Sequence, residues 1–140
     1  MIPRNMSKLF RDVDDSSAYW YYQTTWYEPE INDFEHFSGS VTADTAAYKE
    51  IENIIAQYSY HGFVGALFPR DSINWGGQKV LFLAIGDENG MGNEIWITEE
   101  GEFKIRKGIK WYTYRTDWIG QEKTKQLYQE LEKMLQLQDS

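Results

Sequence analysis

Apolar and polar positions along this chain follow two periods, two and about three and a half, and they divide it into strand-like and helix-like stretches. Ala18 to Tyr27 reads AYWYYQTTWY, aromatic and β-branched without Gly or Pro, which is the composition of a strand. On a period of two, Tyr19, Tyr21, Gln23, Thr25 and Tyr27 share one face, and Trp20, Tyr22, Thr24 and Trp26 share the other. Neither face is cleanly polar, so the strand is expected to be covered on both sides or to lie beside a binding surface. Glu28 to Val41 reads as an irregular loop, with Pro29, Ser38-Gly39-Ser40 and scattered acids around the apolar anchors Ile31, Phe34 and Phe37. A loop of that length is uncommon in a compact domain unless it has a task.

Helical spacing follows. Tyr48, Ile51, Ile54, Ile55 and Tyr58 form one apolar stripe, with Thr42 or Asp44 available as the cap and His61-Gly62 as the stop, so a helix is predicted to end near Tyr60. Gly62 to Phe68 and Lys79 to Ile85 are apolar and β-rich, separated by turn signals at Pro69 to Ser72 and Asn74 to Gly77. The run Val80 to Ile85 is continuous rather than alternating, which places it inside a sheet. Glu94 to Thr98 and Glu102 to Arg106 pair across the Gly-containing connection Glu99-Glu100-Gly101, and Lys110 to Thr116 reads as a further strand. From Gln121 to Leu137, the residues Leu127, Tyr128, Leu131, Met134 and Leu135 make a second helical stripe that should cover the sheet. The order predicts one α+β domain over residues 1–140, with a largely antiparallel sheet of about five to six strands and two main helices, the second C-terminal.

Composition narrows the function classes. With no Cys among 140 residues, disulfides, thiolate metal sites and cysteine nucleophiles are excluded. The longest apolar run is six residues, so neither a signal peptide nor a membrane span is expected, and the cytoplasm is the expected location. Charge is polarised: Asp12 to Glu52 holds ten acids and one base, whereas Lys104 to Arg115 holds five bases and no acid, within a net charge of −8. Direct nucleic-acid binding is disfavoured by a pI near 4.7, because phosphate neutralisation needs a cationic footprint. An acidic face would instead attract a basic partner and raise its association rate.

Catalytic and metal motifs are absent. His36 lies in the acidic loop and reads as an exposed loop residue, while His61 reads as a cap interacting with the helix dipole. No GxSxG, HExxH or P-loop pattern occurs. The stretch Asp87 to Glu94 has the acids of a calcium loop but carries Met91 at its fifth position, so Gly90 and Gly92 read as turn glycines, and no metal or cofactor is expected. What stands out is the aromatic surplus, six Trp, with Trp26, Trp75 and Trp118 falling in loops or on strands of mixed polarity. Trp dominates interface hot spots, and the neighbours of Trp75 predict an exposed turn.

The stretch Gly92 to Phe103, with its strand, Gly turn and strand, resembles the immunity proteins of bacterial polymorphic toxin systems, the SMI1/KNR4-like group, over residues 79 to 106 at most. That resemblance implies a bacterial or phage inhibitor without enzymatic activity that binds a cognate toxin. The expected partner is a basic protein such as a nuclease toxin or defence protein, steered by Glu28, Glu30, Asp33 and Glu35 and anchored by Trp26, Trp75 and Trp118. The alternative is a small-molecule binder, a sponge for a nucleotide signal, in which Lys104, Arg106, Lys107 and Arg115 meet phosphates and Trp111 stacks on a base. Oligomeric state is not fixed by the sequence.

Overall fold

A computed structural model describes residues 2–138 apart from 11, 15, 63–74 and 76. Its strands are β1 (Arg4–Asn5), β2 (Tyr19–Glu28), β3 (Asp33–Thr42), β4 (Ser59–Gly62), β5 (Val80–Asp87), β6 (Gly90–Thr98), β7 (Phe103–Lys107) and β8 (Lys110–Arg115). Two helices, α1 (Ala46–Ala56) and α2 (Glu122–Gln138), and a 3-10 turn at Met6–Leu9 complete the described elements. The strands form one antiparallel sheet in the order β1-β4-β8-β7-β6-β5-β2-β3, so the sheet has eight described strands rather than five to six.

Period two explains how the sheet is packed. Trp20 and Tyr22 of β2, Leu81, Leu83 and Ile85 of β5, Ile95 and Ile97 of β6, and Phe103 and Ile105 of β7 point to one face. There they join Tyr48, Ile51 and Ile55 of α1 and Leu127, Leu131 and Leu135 of α2 in a single buried cluster. Each of these side chains contributes about 1.5–3 kcal/mol when fully withdrawn from water, which makes this layer the main source of stability. As the continuous apolar run requires, β5 is interior, between β6 and β2.

The largest departure from the sequence reading is β3. Glu28 to Val41 is not an irregular loop: ten residues of β3 pair one for one with β2, and only Pro29–Asn32 turns the chain. Asn32 takes the left-handed conformation at φ 51°, which a short polar side chain tolerates, and accepts a hydrogen bond from the Tyr27 hydroxyl. Gly39 is needed because it faces Tyr22, whose hydroxyl would lie 2.5 Å from a Cβ at that position. Pairing with an aromatic-rich neighbour overrides the low strand propensity of Asp, Glu, Ser and Gly.

Smaller corrections concern helix ends. The cap of α1 is Thr45, whose Oγ1 accepts from the Tyr48 N–H at 3.2 Å, rather than Thr42 or Asp44. The helix stops at Ala56, where the Asn5 side chain donates to the Ala56 carbonyl at 2.8 Å. His61 is therefore no helix cap; it is a buried residue of β4. The predicted strand from 62 to 68 lies outside the described residues beyond Gly62, as do the turn at 69–72 and residues 74 and 76 of that at 74–77. The connection between β5 and β6 is also shorter than the sequence suggests, because β6 begins at Gly90, with φ 112°.

Candidate functional site

The register of β2 with β3 puts the strand acids of the hairpin tip on one face, with Trp26, and Tyr27 and Phe34 on the other. Trp26 pairs with Glu35 and Glu28 with Asp33, so these four share the face that continues the helix-bearing side of the sheet. Tyr27 pairs with Phe34 on the reverse face, and Glu30 and Ile31 occupy the turn between. Glu30, Asp33 and Glu35 are exposed and Glu28 half-buried. The apolar side chains of the tip are exposed too: Phe34 by 59%, Ile31 by 55% and Tyr27 by 39%. Together they form a projection with the carboxylates of Glu28, Asp33 and Glu35 on one side, the rings of Tyr27 and Phe34 on the other, and Glu30 and Ile31 at its turn.

The electrostatics of this tip follow from its position. β3 is one edge of the sheet, while the basic hairpin β7–β8 lies beyond β2, β5 and β6. Four strand spacings of about 4.8 Å separate β3 from β7, roughly 19 Å, which exceeds the screening length of about 8 Å at physiological salt. Among the described residues, Glu28, Glu30, Asp33 and Glu35 take part in no ion pair; the pairs that occur join Lys79 to Glu132 and Lys125 to Glu122. Not every acid of the N-terminal segment is so placed. Asp14 accepts from the Ser16 hydroxyl and N–H at 2.7 and 2.9 Å, bonds that hold its carboxyl below the usual range. Asp44 accepts from the Thr42 hydroxyl at 2.6 Å.

Trp26 is half-buried, with the Lys79 ammonium 5.7 Å from its ring centre. Lys79 in turn pairs with Glu132 at 2.9 Å, and Glu132 accepts from the Tyr128 hydroxyl at 2.6 Å. This chain of contacts ties the hairpin near its tip to α2. Burial, reinforced by that bond to Glu132, raises the Tyr128 pKa well above the ordinary phenol range.

The other two expected anchors sit elsewhere. Trp75 opens a turn, its carbonyl accepting from the Gln78 N–H at 3.1 Å, but it is half-buried rather than exposed, stacked at 5.8 Å on Trp96 and edge-on at 5.8 Å to Trp111. Trp118, in the segment between β8 and α2, is 64% exposed and stacks on His61 at 3.9 Å. The His61 ring nitrogens lie 3.1 Å from the carbonyls of Gly62 and Asp117, and the Asp117 carboxylate accepts from the Lys123 N–H at 2.8 Å, capping α2. Trp118 thus belongs to the fastening of α2 at the far end of the sheet.

Away from the helices, the sheet carries a second aromatic group. Phe82 stacks on Trp96 at 4.7 Å, and Trp96 meets Trp111 edge-on at 5.0 Å. Lys104, Arg106, Trp111 and Arg115 share this face through the β7–β8 register, whereas Lys107 lies on the other, 5.3 Å from the Tyr112 ring centre. The Arg106 guanidinium lies 5.6 Å from the Trp111 ring centre, and its buried Nε has no hydrogen-bond partner. His36 is exposed, opposite Thr25, and its ring makes no hydrogen bond among the described residues.

The tip's acids were legible as charge, but its apolar half was not. Ile31 and Phe34 read as inward anchors of a loop, and only the strand pairing turns Phe34 outward beside Tyr27. No helix among the described residues is long and apolar enough to cross a membrane. No family model matches the chain, and comparison with curated proteins and with solved structures gives no match either.

Proposed function

We propose that this chain is a binding protein without enzymatic activity, an inhibitor of immunity or antitoxin type, which docks the β2–β3 hairpin on a basic protein partner. One observation carries the reading: Glu28, Glu30, Asp33 and Glu35 stand together beside exposed Tyr27, Ile31 and Phe34, with no cation of the described chain paired to them. Carboxylates so placed steer a cationic surface and set orientation, while the aromatic and aliphatic side chains supply area to bury on contact. A toxin or defence protein acting on nucleic acid has the basic surface that this tip would occupy. The test is capture from the native host with the wild-type chain and with a variant carrying Glu28→Gln, Glu30→Gln, Asp33→Asn and Glu35→Gln. A basic protein retained by the first and lost by the second supports the reading; equal retention contradicts it.

A second reading rests on Arg106, whose unpartnered Nε beside Trp111, Trp96 and Lys104 suits an anionic aromatic ligand such as a nucleotide. A nucleotide released on denaturing gently purified protein, and absent after Arg106→Gln, would favour it.

A further inference from the structure

The two edges of the sheet differ in kind. At one edge β1 is two residues long and follows Pro3; at the other, β3 presents ten residues, with neither Pro nor Lys, and nothing described pairs with its outer side. Short strands, prolines and lysines are the usual means of keeping an edge from recruiting another strand. β1 has two of these features, whereas the Asp, Glu, Lys and Arg side chains of β3 come down to the carboxylates of Asp33 and Glu35. Those carboxylates repel an acidic strand, a second copy of β3 included, and attract a basic one. Seven of the ten β3 residues, 33–36, 38, 40 and 42, are exposed, and among the described residues no strand takes up the backbone groups of the outer side.

We infer that β3 is the acceptor for an extended, cationic segment of the partner, which adds to the sheet as a ninth strand. This rests on the docking reading above and specifies how docking is achieved. Backbone hydrogen bonds along the edge would supply affinity, and alternate side chains specificity. Neighbouring strands share faces, so the pattern of the incoming segment is fixed by β3. On one face it meets Asp33, Glu35, Phe37 and Val41, and on the other Phe34, His36 and Ser38. The complementary segment therefore alternates, with Lys or Arg on the carboxylate face and apolar residues against Phe34.

The experiment uses the full chain and two decapeptides of alternating Lys and Val, one unmodified and one N-methylated at its four central residues. N-methylation leaves charge and side chains intact but removes donors on both edges of the peptide. Binding is measured by titration at low salt, and amide hydrogen exchange of Asp33–Thr42 by NMR. Strand addition predicts at least tenfold weaker binding of the methylated peptide and slowed exchange in β3 when the unmodified one binds. Equal affinity for the two peptides overturns strand addition while leaving docking through side chains intact, provided the four-acid variant weakens both. Failure of the unmodified peptide to bind also overturns it, and so does β3 protection that rises with protein concentration alone, because the occupant would then be a second copy. If both peptides bind equally to wild type and to the four-acid variant, the docking reading fails with it.

Discussion

Tyr27 and Phe34 face each other across β2 and β3, ring centres 5.6 Å apart and planes at 70°, with both residues exposed, Phe34 the more so. A cross-strand aromatic pair in this edge-to-face arrangement contributes about 0.2–1 kcal/mol to a hairpin. That is small beside the surface it leaves exposed. Phe34→Ser is therefore expected to cost at most about 1 kcal/mol in urea unfolding. Bound partner should dissociate at least tenfold faster, a separation of stability from binding that surface plasmon resonance and denaturation together would reveal.

Gly39 makes the opposite prediction. A Cβ there would lie 2.5 Å from the Tyr22 oxygen and 2.9 Å from its ring carbon, and Tyr22 is itself buried. Gly39→Ala should destabilise the protein by about 1–3 kcal/mol, as overpacking does. Adding Tyr22→Phe should recover only part of that loss, because the ring carbon stays too close. Thermal unfolding of the two single variants and the double variant measures the coupling.

Gly101 is constrained by its backbone as well as by space. At φ 97° it turns the β6–β7 connection beneath α2, and a Cβ would approach the Gln121 Cβ to 2.6 Å and the Gln121 carbonyl to 2.8 Å. Gly101→Ala is expected to lose about 2 kcal/mol or more, with no rescue from shortening Lys125, since the nearer Gln121 Cβ and carbonyl remain. Chemical denaturation of Gly101→Ala and Gly101→Ala with Lys125→Ala checks both statements.

Alkaline pH should loosen the contact between α2 and the sheet. The folded-state pKa of Tyr128 lies above its unfolded value, because burial and the Glu132 carboxylate disfavour the phenolate. Its contribution is thus fully present below the unfolded pKa of about 10 and declines as pH rises toward the folded value, by about 1.4 kcal/mol per unit. Tyr58 is shifted upward too, first by burial, and adds to the slope. Unfolding free energy measured from pH 9 to 11.5 should fall less steeply in Tyr128→Phe than in the wild type.

Sequence periodicity found the elements whose own residues carry the signal. β5 is a run of mostly buried aliphatics, β6 alternates buried Ile95 and Ile97 with half-buried Glu94 and Trp96, and α2 shows its stripe from Leu127 to Leu135, so hydrophobic burial alone makes them visible. β3 has no such signal: its pairing with β2 depends on residues distant in type, such as Glu35 against Trp26 and Gly39 against Tyr22. By sequence His61 reads as the end of α1 because it follows the helical stripe, yet the Asn5 side chain, 51 residues before Ala56, is what meets the last carbonyl. For the candidate site, the charge was written in composition, but its division into an acidic and an apolar face exists only once the register is known. Trp75 misled because turn-forming neighbours predict exposure, while the rings of Trp96 and Trp111 are brought to it by other strands.

Association kinetics test the docking hairpin most directly. Stopped-flow mixing of the chain with the basic partner captured by it, across a range of ionic strength, compares wild type with the variant neutralised at Glu28, Glu30, Asp33 and Glu35. Docking through the hairpin predicts an on-rate at least tenfold lower for the variant at low salt and a much shallower salt dependence, because steering charge is removed. Identical on-rates with identical salt slopes would contradict it.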